Sequence, residues 1–335
     1  PWLIRQDIEV CLDKPTDANR KAIDMLAKGV ESLGFNLCNE CEPTLDSISR
    51  LLKDIDLNQV EINFTGGFAT AKALPFIVKF LEQSRFDAQK IRFSIDYSPL
   101  TSLSLNGKFC CDNDASFEGV VSVILAVKNF PNFRVIGVNG HIFHNSGSST
   151  VQELGFALAM ASNYLTVLTE KGFTVDEVAT RMSFNFAISS NYFMEIAKFR
   201  AARLLWAKMV EVYNPTSAKS SQMRIHAETS RWNKTVYDAY VNMLRTTTEG
   251  MSAVLAGVDS LTVLPFDAPY ADSSIFSERI ARNQQLLLRE ESYLGQVADP
   301  SAGSYYIENL TISIAENAWS QFLKVEDMGG YKESF

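Results

Sequence analysis

Residues 134–140, RVIGVNG, run straight into His141-Ile142-Phe143-His144. The short, β-branched apolar stretch predicts a strand over 134–138, and the glycine closes it. Ser146, Ser148 and Ser149 then lead into a long amphipathic stretch, 150–169, whose spacing predicts a helix with a serine at its N-terminus. A strand that ends in glycine and ionisable side chains, followed by a covering helix, is one unit of an α/β fold.

The same unit recurs outward in both directions. Further strands are expected at 34–38, 60–64, 91–96, 184–188, 223–227 and 260–264, with a final one at 304–308 after Asp299-Pro300 and Gly303. Amphipathic stretches at 45–53, 70–83, 117–128, 192–211, 236–256 and 277–290 alternate with them. In 192–209, Phe193, Ile196, Ala197, Leu204 and Trp206 mark the apolar face, with Lys198, Arg200 and Arg203 off it. About eight β-then-α units fit a (β/α)8 TIM barrel better than a doubly wound sheet. The latter calls for a glycine-rich phosphate loop after its first strand, and neither GxGxxG nor GxxxxGK with Ser or Thr occurs. Residues 1–33 are expected to form an arm and helix ahead of a barrel at 34–335.

Composition narrows the function classes. The 335 residues are 46% hydrophobic, enough for one large domain or two small ones. With 31 basic against 39 acidic residues the formal charge is -8, which argues against phosphate-neutralising contact with nucleic acid. No apolar run is long enough to cross a membrane, and the chain opens without a basic-then-apolar leader pattern. A cytoplasmic setting is the expectation. Cysteines stand at 11, 38, 41, 110 and 111. Cys38 and Cys41 have CxxC spacing, but one half-site with no nearby histidine does not close a zinc site. Reduced thiols are expected.

At the ends of the predicted strands stand Asn63, Asp96, His141, His144, His226 and Glu228. His141, His144, His226 and Asp96 are the residue types of a metal-assisted hydrolase. Their spacing does not enforce it: no HxH or HExxH run is present, and two histidines three apart on a loop need not converge. Hydrogen-bonded structural histidines are the plainer reading, and no metal site is expected. No GxSxG occurs, and Ser146–Ser149 reads as a helix cap.

Longer runs are more specific. PWLIRQ (1–6), NYFMEIAKFRAARLLWAKM (191–209), RIHAETS (224–230), SERIARNQQLLLREES (277–292) and VADPSAGSYYIE (297–308) resemble the methylmalonyl-CoA mutase family, in that family's order and over nearly the whole chain. The resemblance implies a (β/α)8 barrel that takes an acyl-CoA, and adenosylcobalamin as cofactor. In full-length members a cobalamin-binding, flavodoxin-like domain follows. No DxHxxG signature of that domain occurs, and the sequence looks like a barrel segment of a longer polypeptide.

The positions that carry chemistry in catalytic members differ here. The tyrosine after PWxIRQ is Asp7. The glutamine, and the carboxylate-binding arginine ten residues later, align with Asp96 and Asn106. Asparagine lacks the bidentate, permanently charged grip of arginine. Alignment through Gly147 and Glu153-Leu154 puts Ile142 where the family keeps its catalytic histidine, with His141 at the preceding tyrosine. Isoleucine has no proton to give a rearranging thioester radical. In SLTVLPFDA, Thr262, Leu264 and Ala268 stand at a substrate-contacting histidine and at the asparagine and glutamate that hold the adenosyl group. His226 matches a family histidine at the barrel mouth, followed by Glu228 in place of glutamine and Arg231 in place of glycine. Glu61, Asn63, Val135 and Asn139 replace small residues that line the barrel, and bulkier groups tend to close an axial tunnel.

Jointly these changes resemble the non-catalytic small subunit of the heterodimeric bacterial mutases, components of an isomerase in propionate metabolism. The resemblance implies a catalytic large subunit as partner, with adenosylcobalamin held there and no cofactor in this chain. Self-association of the isolated chain is open. The alternatives are a catalytic mutase acting on another acyl-CoA and the metal-dependent hydrolase.

Overall fold

The structure, a computed structural model, describes residues 2–38, 42–84, 86–109 and 113–334. Eight strands run in the order β1 to β8 around a closed barrel. They are β1 Leu3–Val10, β2 Ser32–Leu37, β3 Glu61–Thr65, β4 Arg92–Tyr97, β5 Phe133–Asn139, β6 Met182–Ile188, β7 Ile225–Thr229 and β8 Ser260–Thr262. All strand pairs whose register is resolved are parallel. The helices are α1 Pro15–Ala27, α2 Leu45–Leu51, α3 Phe68–Gln83, α4 Pro99–Asn106, α5 Asn113–Ala126, α6 His141–Asn145, α7 Thr150–Glu170, α8 Val175–Ala179, α9 Tyr192–Glu211, α10 Val241–Leu255, α11 Ile275–Leu286 and α12 Tyr305–Asp327. A π-helical turn, Leu287–Glu291, extends α11. This is the (β/α)8 barrel that the sequence predicts.

The two ends of the chain depart from expectation. The stretch read as an arm supplies β1 and α1, and β1 is the first barrel strand, paired in parallel with β2 from Arg5↔Ser32 to Val10↔Leu37. Its residues alternate from Asp7 on, with Ile8 and Val10 buried and Asp7 and Glu9 exposed, which is the signature of a strand with two unlike faces. At the other end, 304–308 is not a strand but the start of α12. Tyr305, Tyr306 and Ile307 suit a strand locally. The longer run overrides them, because Ile307, Thr311, Ile314, Ala315, Ala318, Phe322 and Val325 form one buried helical stripe.

The chain divides into two compact units. In the one holding Arg5–Gly137 and Thr180–Ser183, a row of phenylalanines packs across successive strands. Phe35, Phe64, Phe93 and Phe133 have ring centroids 5.6, 6.3 and 5.5 Å apart. On the same strands Ser32, Asn63 and Ser94, an odd number of residues from Phe35, Phe64 and Phe93, carry polar groups on the opposite strand face.

The other unit holds Val138–Ala179, most of the chain from Phe184 onward, and the first few residues. Here α9 covers β6. Phe184 meets Trp206 at 4.8 Å and Phe186 meets Phe199 at 5.9 Å. The buried face of α9 is rotated from the sequence reading: Phe193 and Leu204 are exposed, whereas Lys198 is fully buried. Local chemistry sets the helix starts. Ser149 accepts from Gln152 N and opens α7, and Ser274 does the same with Ser277 for α11. Ser98 and Pro99 open α4, and Gly107 closes it in the left-handed region.

Among the described residues, no helix is long and apolar enough to cross a membrane. Cys11 is exposed and Cys38 half-buried. The second cysteine of the CxxC pair and the pair at 110 and 111 lie outside the described residues.

Candidate functional site

A parallel barrel presents its chemistry at the C-terminal ends of its strands. At the end of β5 the histidine pair stands not on a loop but on α6, a single helical turn. His141 and Ile142 are half-buried and His144 is buried. The His144 ring lies between two groups: Nε2 is 2.8 Å from Ser230 Oγ, just past β7, and Nδ1 is 3.9 Å from Glu153 Oε2 on α7. Burial, reinforced by Lys198, lowers the His144 pKa to about 4, so the ring is neutral near pH 7.

Glu153 belongs to a dry ionic cluster that the sequence reading missed. Lys198 Nζ donates to Glu153 Oε2 at 2.8 Å and to the Ala187 carbonyl at 2.6 Å, and pairs with Glu195 Oε2 at 2.6 Å. All three side chains have no solvent exposure. Glu153 Oε1 accepts from Ala187 N at 2.9 Å, and Glu195 Oε1 accepts from Ser189 Oγ at 2.6 Å. Burial raises the Glu153 pKa against the pull of Lys198. Burial works against charge on Lys198 as well, but the two carboxylates outweigh it and raise its pKa. The one signal in sequence was Glu195 and Lys198 at i and i+3 beside an apolar face, which is also the pattern of a solvated pair.

A second buried pair stands nearby in the chain. Lys234 Nζ grips both Glu249 oxygens, at 2.8 and 2.7 Å, and Asn233 Nδ2 adds a third donor at 2.6 Å. Burial raises the Glu249 pKa to about 7. Neighbouring strands carry neutral polar contacts. Asn185 Nδ2 donates to Asn139 Oδ1 at 2.6 Å, and His226 Nδ1 lies 2.9 Å from Ser260 Oγ. Glu228 accepts from Arg231 Nε at 3.5 Å. Thr262, opposite Glu228 in register, is buried with no hydrogen-bond partner for its hydroxyl.

Beyond β8, Leu264 and Ala268 are half-buried and bond only through the backbone, Leu264 N to Thr229 Oγ1 at 2.9 Å and Ala268 N to Pro265 O at 3.1 Å. Neither side chain has a polar atom that could hydrogen-bond a ribose or an adenine.

In the other unit, Asp7 accepts from Arg5 Nε at 2.7 Å. It lies so close to Gly34 that a β-carbon there would come within 1.7 Å of its carboxylate. Glu61 accepts from Ser32 Oγ at 3.0 Å. Asn63 donates to Ser32 Oγ at 2.9 Å and accepts from Ser94 Oγ at 2.6 Å. Asp96 is half-buried, and its carbonyl takes the Thr70 hydroxyl at 3.5 Å. Asn106 is exposed at the last position of α4, reaching only its own helix at Ser102 Oγ, 3.4 Å away. Val135 is fully buried.

Among the described residues, no group of three or more His, Cys, Asp or Glu could hold a metal ion. His144 is engaged with Ser230 and His226 with Ser260.

A closed parallel barrel with polar groups at its strand ends defines the chain as a (β/α)8 protein. Comparison then fixes the family. The family model for methylmalonyl-CoA mutase matches residues 5–335. The chain is 48% identical to the methylmalonyl-CoA mutase small subunit of Porphyromonas gingivalis, over 99% of this chain and 53% of that protein. It is 34% identical to the protein of that name from Streptomyces virginiae, over 98% of this chain and 52% of the relative. With the large subunit of the same organism it shares 34% identity over 87% of this chain and 40% of that one. The chain belongs to the methylmalonyl-CoA mutase family. It spans about half the length of the curated relatives it matches.

Proposed function

We propose that this chain is the barrel region of a non-catalytic small subunit of adenosylcobalamin-dependent methylmalonyl-CoA mutase. It would support a catalytic large subunit that interconverts methylmalonyl-CoA and succinyl-CoA. One observation carries the reading. At the end of β5, where the family resemblance puts a catalytic histidine, stands Ile142, and the neighbouring His144 is buried between Ser230 and Glu153. An imidazole in that position serves the scaffold and has no substrate-facing proton to exchange.

The remaining degenerate positions agree with it. Asn106 is a neutral amide at an exposed helix end where the family uses a charged clamp, and Asp7 is tied to Arg5. Leu264 and Ala268 offer no side-chain contact to an adenosyl group, so no step of the reaction is assigned to this chain. Its contribution is an interface and stability for the partner. Similarity to both a small and a large subunit suits a partner built on the same barrel. Adenosylcobalamin would reside in the large subunit, and the assembly would be a cytoplasmic heterodimer acting in propionate metabolism.

The test is turnover of methylmalonyl-CoA with adenosylcobalamin, by this chain alone and after mixing with the large subunit. Activity only in the mixture is expected, and turnover by the chain alone overturns the proposal. Light scattering on the isolated chain examines a related point: without its partner, the surface normally covered there is expected to drive self-association. A monomer at high concentration counts against that.

A further inference from the structure

The buried cluster under the ends of β6 and β7 has an unbalanced charge count. Glu153 and Glu195 are both fully buried and share one cation, Lys198. If both carboxylates were ionised, one net negative charge would be sealed away from water, where each unpaired ion costs several kcal/mol. Lys234, on the segment after β7, is held by both oxygens of a third buried carboxyl, Glu249 on α10, so the two pairs together still hold one carboxyl more than they hold lysines. Among the described residues, the titratable ring that faces the cluster is His144 on α6.

The hydrogen bonds say where the extra proton belongs. Each oxygen of Glu153 already accepts one bond, from Ala187 N and from Lys198 Nζ. Oε2 also faces His144 Nδ1 at 3.9 Å, and that nitrogen is buried with no hydrogen-bond partner. A bare acceptor opposite a carboxyl oxygen is the arrangement that a carboxylic acid satisfies, since its O–H can donate to the ring while its remaining lone pair still accepts from Lys198. The second ring nitrogen, Nε2, then carries its hydrogen toward Ser230 Oγ, which lies 2.8 Å away and also receives Trp232 N. Glu195 has a different environment, with Ser189 Oγ on one oxygen and the Lys198 ammonium on the other, each at 2.6 Å.

We propose that Glu153 is a neutral carboxylic acid at neutral pH, donating its proton toward Nδ1 of a neutral, Nε2-protonated His144, and that this neutral link holds α6 against α7 and the end of β7. The cluster is then electrically balanced, one ammonium against one carboxylate charge. The raised pKa of Glu153 and the lowered pKa of His144 run in the same direction. The turn that carries Ile142 is therefore held by the His144–Ser230 hydrogen bond with a neutral carboxyl facing the other ring nitrogen, and not by an ion pair. This holds whether or not the chain is catalytic.

Selective nitrogen-15 labelling of the three histidines reads the assignment directly in the intact chain. His141→Gln and His226→Gln identify the His144 resonances. At pH 7 the expected pattern is a neutral ring with a bare Nδ1 and a protonated Nε2. Infrared spectra in heavy water are expected to show a carboxylic-acid C=O band at pH 7 that disappears in Glu153→Gln. An imidazolium at His144, or a ring protonated at Nδ1, overturns the proposal, since either leaves no bare Nδ1 to take the Glu153 proton. Should Glu153→Gln fail to fold, the nitrogen-15 spectrum of the unaltered protein still decides the matter.

Discussion

Lys198 and Glu195 stand one helical turn apart on α9 and pair at 2.6 Å with neither side chain exposed. Exposed i,i+3 pairs on a helix contribute only a few tenths of a kcal/mol. Here the lysine also meets Glu153 and the Ala187 carbonyl, so it joins α7, β6 and α9 at one atom. Lys198→Met leaves Glu153 and Glu195 facing each other in a dry site. The expected loss is about 3–5 kcal/mol of stability, the range seen when one partner of a buried pair is removed. Chemical denaturation of the two proteins measures it, and a loss below about 1 kcal/mol would show that the cluster is hydrated.

Glu249 adds a pH dependence of unusual sign. Its carboxyl is raised from 4.5 to about 7, chiefly by burial, so the folded chain keeps a proton that the unfolded chain releases between those values. Stability from this group is complete below pH 4.5 and declines as pH rises toward 7. His144 acts oppositely. Its pKa falls from 6.5 to about 4, and the unfolded chain binds the extra proton in that window, so stability falls with acidification. The two slopes overlap and partly cancel in the whole protein. The difference between the wild type and Glu249→Gln isolates the carboxyl. Wild-type stability relative to the variant is expected to fall by about 3 kcal/mol between pH 4.5 and 7, read from denaturation midpoints across that range. A constant difference would mean that Lys234 and Asn233 keep Glu249 ionised throughout.

Helix contact supplies a prediction free of electrostatics. A β-carbon on Gly155 of α7 would lie 2.9 Å from Gln321 Cβ and 3.1 Å from the Ala318 carbonyl, both on α12. The carbonyl is backbone and cannot swing aside. Gly155→Val must push the helices apart or strain them, at a cost of about 1–3 kcal/mol. Thermal melts of the valine and alanine variants should fall in order of side-chain size.

How much of this was legible in sequence depends on the range of the interaction. The β/α alternation is local, and it led to the barrel. β1 carries an equally local signal, Ile8 and Val10 buried between exposed Asp7 and Glu9, but its charged residues look like those of a surface arm until a neighbouring strand is placed beside it. For α12, a five-residue window favoured a strand, and only the stripe from Ile307 to Val325 shows the helix. The site is less legible because its bonds are distant in sequence. His144 meets Ser230 across 86 positions and Lys198 meets Glu153 across 45. No spacing rule separates a buried lysine such as Lys198 from its exposed neighbours on the same helix.

The proposed loss of the active site leads to a last prediction, on reversal. Ile142→His would return an imidazole to the end of β5, and Asn106→Arg a cation to the end of α4. A histidine contributes only if it is held within hydrogen-bond reach of the reacting group, and its usual enhancement of about 10²–10⁴-fold multiplies a rate that first requires bound cofactor and substrate. Leu264 and Ala268 still present no polar side chain, and the Thr262 side chain stays buried. The double variant is therefore expected to remain without turnover of methylmalonyl-CoA when supplied with adenosylcobalamin, while retaining its fold by circular dichroism. Detectable succinyl-CoA from the double variant would mean that cofactor and substrate sites survive in this chain, and that Ile142 and Asn106 alone keep it silent.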